Sequence, residues 1–163
     1  MQKMSSAKEL KNAKVNYNNM CTKLDQMGWK YERFEEDFVV KSGVRGDDLP
    51  IEFIIVVNPD TQIVRYMSKM PFNIAEEKRI DAAIAVCSAN NGLVDGNFDY
   101  DVLTGEIVYR MTANFRETIL GGDVFEYMVI VASKIVDKYN DRFLMLSKGL
   151  ISIEQFLAMD MEN

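Results

Sequence analysis

The first thirty residues alternate between polar and apolar positions with the period of an α-helix. Ser6 and Glu9 have the spacing of a capping box at the helix start, and Gly28 is a typical residue just past a helix end. Between them, apolar side chains recur three and four positions apart, which places one apolar stripe along a helix: Leu10, Ala13, Tyr17, Met20, Leu24 and Met27. The pattern predicts an amphipathic first helix.

The next forty residues have the shorter period of β-strands. Residues 29–34 are aromatic and roughly alternating, and the acidic residues 35–37 predict a turn into a short strand at 38–41. Residues 42–48, with two glycines, predict a loop. The most hydrophobic segment, IEFIIVV, predicts a central strand with four residues on one face: Ile51, Phe53, Ile55 and Val57.

A strong turn signal follows this central strand. In residues 58–61 proline presets the bend, and Asn and Asp cap it. Residues 62–70 therefore return antiparallel, and the two strands form a hairpin. A second hairpin is predicted from Asn97–Val102 and Glu106–Phe115, around the turn 103–105.

Three further helices are predicted beyond the first. The second covers Ile74–Asn91, is slim because it is rich in alanine, and has one side formed by Ile80, Ala83, Ile84, Cys87 and Asn91. The third follows Gly121 and continues to Gly149. Ser152 and Gln155 form another capping box, which predicts a short extra helix over about 152–160.

Hairpin-linked strands with helices between them indicate an α+β fold rather than β-α-β units. We expect one domain over residues 1–163, with a twisted antiparallel sheet of five to six strands and helices packed on one face. The predicted element order is α-β-β-β(-β)-α-β-β-α.

Composition argues against most catalytic chemistry. The chain has no histidine, which excludes Ser-His and Cys-His catalysis and imidazole metal ligation. No P-loop, GxGxxG, nucleophile elbow or HExxH motif occurs. We expect no enzymatic activity, no catalytic residues and no cofactor.

One segment imitates a calcium-binding loop. Acidic and amide residues fall on the ligand positions of the template: Asp95, Asn97, Asp99, Asp101 and Glu106. Tyr100 stands where that loop needs glycine for its sharp turn, and the flanking residues alternate like strands. A solvated hairpin is the better interpretation, so no metal site is expected.

Charge and cysteine content suggest a cytoplasmic protein that does not bind nucleic acid. The net charge of −6 repels phosphate backbones. Residues 1–30 carry +4 and the remainder −10, so the first helix has a lysine face that is either solvated or able to lie on an anionic membrane. No apolar run is long enough for a membrane span, and the start resembles no signal peptide. Cys21 and Cys87 are interpreted as separate buried thiols.

Five segments, taken in order, resemble the YbjN family of bacterial regulators, over about residues 12–141. They are MGWKYE, which ends the first helix, NPD in the first hairpin, SANN at the end of the second helix, and GNFDYD and GEIVYR in the second hairpin. The resemblance implies a fold similar to class I type III secretion chaperones. Those are small acidic homodimers that hold an extended segment of a client protein. The tail after Gly149 lies outside this pattern.

From these observations we predict a non-catalytic, homodimeric protein-binding module, chaperone-like or regulatory. The predicted dimer contact consists of Ile80, Ile84, Cys87, Tyr109 and Met111. The predicted partner surface, which would receive an extended segment of an unidentified client by strand addition at the sheet edge, consists of Phe53, Ile55, Tyr66 and Met67. Two alternatives remain open: a sensor domain with a small molecule between the third helix and the sheet, and a purely structural subunit. Each of these residues is also compatible with an ordinary core.

Overall fold

The computed structural model describes residues 5–161. The first four residues of the segment compared with signal peptides lie outside this range. In chain order the elements are α1 (Ala7–Gln26), β1 (Tyr31–Phe34), β2 (Val39–Arg45), β3 (Pro50–Asn58), β4 (Ile63–Lys69), a 3-10 turn (Glu76–Lys78), α2 (Arg79–Asn91), β5 (Asn97–Asp101), β6 (Glu106–Asn114), α3 (Gly122–Ser147) and α4 (Ile153–Met161).

The six strands form one antiparallel sheet in the order β1-β2-β3-β4-β6-β5. Ile55 pairs with Tyr66, and Tyr66 pairs in turn with Met111, so the two predicted hairpins meet along β4 and β6. Helices α1 and α3 pack across one face of this sheet. This confirms the predicted α+β architecture, and β3 is the central strand that its hydrophobic sequence predicts.

Local sequence signals account for the helix ends. Ser6 Oγ accepts a hydrogen bond from the Glu9 amide at 3.2 Å, and the Glu9 carboxylate accepts one from the Ser6 amide at 2.7 Å. Ser152 and Gln155 repeat this capping box at α4, with distances of 3.2 and 2.8 Å. Both predicted capping boxes are therefore confirmed.

The core between helices and sheet is organised by a row of aromatic rings. Consecutive ring centroids along it lie 4.8–6.3 Å apart, within the range of favourable stacked and edge-to-face contacts. The row runs across the sheet from β1's side to α4 in the order Trp29, Phe53, Tyr66, Tyr109, Phe98, Phe143 and Phe156. It ties the strands to α3 and α4.

Two predicted boundaries were wrong. Part of the predicted loop 42–48 is strand, because Ser42, Gly43 and Val44 pair with Phe53, Glu52 and Ile51. The second helix was predicted from Ile74, but the α-helix begins at Arg79 after the 3-10 turn.

Cys87 was predicted to be buried, and it is exposed, whereas Cys21 is buried. Lys8, Lys11 and Lys14 are exposed, as the solvated lysine face predicts. Among residues 5–161, no helix is both long and apolar enough to cross a membrane.

Candidate protein-binding surfaces

Helix α2 is apolar on two sides. One side packs into the core through small side chains, namely Ala82, Ala85, Val86 and Ala89. The other side carries what we call the α2 surface, formed by Ile80, Ile84 and Cys87. Ile80 is 70% exposed, Ile84 is 45% exposed, and Cys87 is also exposed. A contiguous exposed apolar patch can mark a contact with another protein, and these three residues lie on one helix face.

An edge of the sheet lies beside this helix. Strand β5 pairs only with β6 within the described chain. At its outer edge the Asn90 side chain of α2 accepts a hydrogen bond from the Phe98 amide at 2.7 Å and donates one to the Phe98 carbonyl at 3.0 Å. The Tyr100 hydroxyl donates to the Arg79 carbonyl at 3.1 Å, which holds β5 against the start of α2. The adjoining β5–β6 turn exposes Val102 and Leu103, the latter by 80%. Helix α2 therefore occupies this edge of the sheet, and the exposed apolar side chains of the turn directly follow β5.

The sheet face away from α1 and α3 contains a shallow groove of about 1100 Å³. We call it the open-face groove and define it by Lys41, Glu52, Ile54, Met67, Lys69 and Val108. The register places Lys41 beside Ile54 and Ile54 beside Met67, in a row perpendicular to the strands. Its floor is thus apolar and its walls are charged. The groove reaches strand β1, at the second edge of the sheet, through Tyr31 and Glu32.

An ion pair flanks the groove on the neighbouring strands. Arg110 Nε lies 2.6 Å from the Asp99 carboxylate. The hydrogen bond from Arg110 lowers the pKa of Asp99 below its ordinary value, so this carboxylate stays ionised at neutral pH. Asp99 was one of the calcium-template residues, and the structure gives it a cationic partner on the adjacent strand instead.

The predicted dimer-contact residues are divided between surface and core. Ile80, Ile84 and Cys87 form the α2 surface. Tyr109 and Met111 are buried, being 0% and 4% exposed. They point to the helix-covered face of β6, so they are separate from the α2 surface.

The predicted partner-surface residues are mostly inaccessible in this structure. Phe53, Ile55 and Tyr66 are at most 3% exposed, because they lie under the helices on the inward positions of β3 and β4. Met67 alone lies on the open face, where it lines the groove. Adjacent residues of a strand point to opposite faces, so Tyr66 and Met67 cannot belong to one surface.

Sequence reasoning missed Ile54, Val108 and the lysines of the groove. The four residues predicted to share one face of β3 do share it, but because β3 is apolar at nearly every position, the pattern did not show which face the helices cover. Glu52, two positions before Ile54, was the available signal, since a charged residue indicates the solvent-facing positions of a strand.

No arrangement of reactive groups is visible in the described residues. Among residues 5–161, no cluster of three His, Cys, Asp or Glu side chains is placed to hold a metal ion. Burial raises the pKa of Tyr66 and of Tyr109, so both phenols remain neutral. The Tyr109 hydroxyl is occupied as a donor to the Asp95 carbonyl at 2.9 Å. Between α3 and the sheet, rings of the aromatic row from β4, β5, β6 and α3 contact one another.

Three solved structures resemble this fold. YbjN from E. coli, a candidate transcription regulator, is 10% identical with a TM-score of 0.57, over 77% of this chain and 91% of that chain. The ExsC–ExsE complex is 12% identical with a TM-score of 0.55, over 77% and 90%. The HopA1–SchA chaperone–effector complex is 10% identical with a TM-score of 0.57, over 81% and 97%. No protein-family model and no curated protein sequence matches the chain.

These similarities establish the fold. The chain has the six-stranded, type III secretion chaperone-like architecture that the resemblance to the YbjN family predicts. At 10–12% identity, the comparison supports nothing finer than this shared architecture.

Proposed function

We propose that this protein is a chaperone-like or regulatory protein-binding module that acts as a homodimer. The observation that carries the proposal is the exposed apolar side of α2, on a fold shared with a chaperone–effector complex. Membership of the YbjN family of bacterial regulators and a cytoplasmic location are part of the same proposal.

In this proposal two α2 surfaces pack against each other. Ile80 and Ile84 would leave water on association, and burying one such side chain fully contributes about 1.5–3 kcal/mol. Isologous contacts of this kind, in which one patch meets its own copy, are the commonest basis of soluble dimers. The exposed side chains Val102 and Leu103 are placed to widen the contact.

Light scattering after gel filtration tests the dimer. We expect a mass of twice 18.7 kDa at micromolar concentration. Ile84→Glu should weaken association by at least about tenfold, because an unpaired carboxylate would be buried. Ile119→Glu is the matched control, since Ile119 is 44% exposed against 45% for Ile84 but lies beyond β6, in the loop before α3. A monomer at every concentration, or equal effects of both variants, would reject the α2 interface.

The partner would be an extended polypeptide segment on the open face. The β1 edge offers backbone groups for strand addition, and the neighbouring groove offers Ile54, Met67 and Val108 to apolar side chains. The charges around the groove are mixed, since Glu32 and Glu52 line it together with Lys41, and Lys69 is ion-paired with Glu106. The partner is therefore expected to carry apolar residues at alternate positions, facing the groove.

A peptide array of such alternating segments tests this surface. Met67→Glu should abolish binding of the peptides that the wild-type protein retains. The matched control is Thr112→Glu, which places the same charge on the exposed β6 position outside the groove. Unchanged binding by Met67→Glu would remove the open-face groove from the proposal and leave the dimer untouched.

A further inference from the structure

The C-terminal helix α4 is docked in a groove between α2 and α3. Phe156 is 0% exposed, and its ring stacks on Phe143 at 5.4 Å and on Tyr139 at 6.5 Å. The remaining side chains of α4 are half-buried or exposed. Phe156 is therefore the one residue of α4 that is fully buried.

The chain reversal that brings α4 into the groove is specified by sequence. Helix α3 ends in a Schellman motif, in which the Leu150 amide donates to the Met145 carbonyl at 2.9 Å and the Gly149 amide to the Leu146 carbonyl at 3.0 Å. Gly149 has φ +68°, a left-handed conformation that favours glycine. The α4 capping box begins three residues later, at Ser152. This is a defined turn between two helices.

A single carboxylate joins α4 to both neighbouring helices. Asp160 Oδ2 accepts a hydrogen bond from Ser88 Oγ of α2 at 2.6 Å, and Asp160 Oδ1 accepts one from the Tyr139 hydroxyl of α3 at 2.5 Å. Hydrogen bonds to an ionised acceptor are roughly twice as strong as neutral ones. Asp160 thus links α2 to α3 through α4.

Helix α2 is held to β5 at both ends and packs into the core through small side chains. The Asn90 side chain is hydrogen-bonded to the Phe98 backbone, and the Tyr100 hydroxyl donates to the Arg79 carbonyl. Between these ends its core side is formed by three alanines and Val86, so few methylene groups leave water there. At Ser88, between the two ends, the neighbouring contact is α4.

We propose that α4 is a clamp that holds α2 in place and thereby sets the geometry of the α2 surface. Ser88, which donates the hydrogen bond to Asp160 of α4, directly follows Cys87 of that surface. The consequence for self-association rests on the proposed dimer, whereas the clamp itself does not. Undocking of α4 would loosen α2 and weaken association without unfolding the sheet.

Hydrogen exchange on the full-length protein tests the clamp. Asp160→Ala removes both hydrogen bonds, and we expect the amides of residues 79–91 to exchange at least about tenfold faster, while those of β3 stay unchanged. Met161→Ala is the matched control, because Met161 is the next residue on α4 and is 87% exposed. Ser88→Ala, which removes only the link to α2, should give the same acceleration in α2.

Two results would overturn the proposal in separable ways. If only the amides of α4 exchange faster in Asp160→Ala, α4 does not clamp α2. If α2 is loosened but the dimer dissociation constant of Asp160→Ala equals that of wild type, the clamp stands and its control of association is rejected. A wild-type monomer would reject the proposed function, while the exchange rates of α2 would still decide the clamp.

Discussion

Phe98 is the residue on which the edge of the sheet depends most. It is 2% exposed, and its ring makes edge-to-face contacts with Tyr109 at 5.2 Å, Phe143 at 5.3 Å and Tyr139 at 5.4 Å. Truncating a buried Phe to Ala costs about 3–5 kcal/mol. Three aromatic pairs, each contributing about 0.5–1.5 kcal/mol beyond area burial, place Phe98→Ala at the upper end of that range.

Thermal and urea unfolding at one fixed protein concentration measure this loss. For a chain of this length, a loss of about 4–5 kcal/mol lowers the melting temperature by about 8–20 °C. Val94→Ala is the control, because Val94 is 95% exposed in the loop before β5, and its substitution should change stability by less than about 0.5 kcal/mol. A loss below about 1.5 kcal/mol for Phe98→Ala would refute the view that the aromatic row holds β5 to α3.

Three further outcomes follow from named contacts. Ser6→Ala should destabilise the protein by about 1 kcal/mol, through loss of the α1 cap, in urea unfolding. Gly105→Ala should lower the free energy of unfolding by more than about 1 kcal/mol, because Gly105 has φ +77° and a Cβ there would meet backbone atoms. Gly92→Ala is the comparison and should leave the free energy of unfolding nearly unchanged, because Gly92 has φ −93°. The Asp99–Arg110 pair stabilises the fold above the unfolded pKa of Asp99, near 4, and this contribution is lost as pH falls through the lower folded pKa. The stability difference between wild type and Arg110→Gln should therefore shrink as the pH is lowered, and a difference that stays constant while Asp99 is protonated would contradict this.

Local signals in the sequence predicted the elements and their order. Ser6 with Glu9 and Ser152 with Gln155 act at short range, so each capping box forms wherever the rest of the chain lies. The turn at Asn58–Thr61 fixes its hairpin in the same way: the Thr61 amide donates to the Asn58 side chain at 2.9 Å. Hairpins and caps therefore follow from neighbouring residues alone.

Which face of a strand or helix is buried depends on long-range packing, and this was harder to predict from the sequence. In β3, Phe53 and Ile54 are equally apolar, and only the position of α1 and α3 decides which of them is buried. In α2, the helical period identified a real apolar side, but the core takes the alanine side. Ile80 and Ile84 are consequently exposed, and Cys87 with them.

The docking of α4 between α2 and α3 could not be predicted from the local sequence pattern. The capping box predicted the helix, yet nothing near Asp160 in the chain indicates Ser88 or Tyr139 as its partners. Those contacts span 72 and 21 positions. They exist because the Schellman motif at Gly149 turns the chain back across α2 and α3.

A distance between two spin labels placed next to the α2 surface tests the central claim most directly. A label on Cys87 would lie inside the proposed contact, so the label is attached at Val94→Cys in a Cys87→Ser background; Val94 is 95% exposed in the loop after α2, and Cys21 is buried. If two α2 surfaces pack against each other, dipolar spectroscopy should give one narrow distance, which Ile84→Glu abolishes and Ile119→Glu retains. The absence of any dipolar signal at micromolar concentration, or a signal that Ile84→Glu leaves unchanged, would contradict the account.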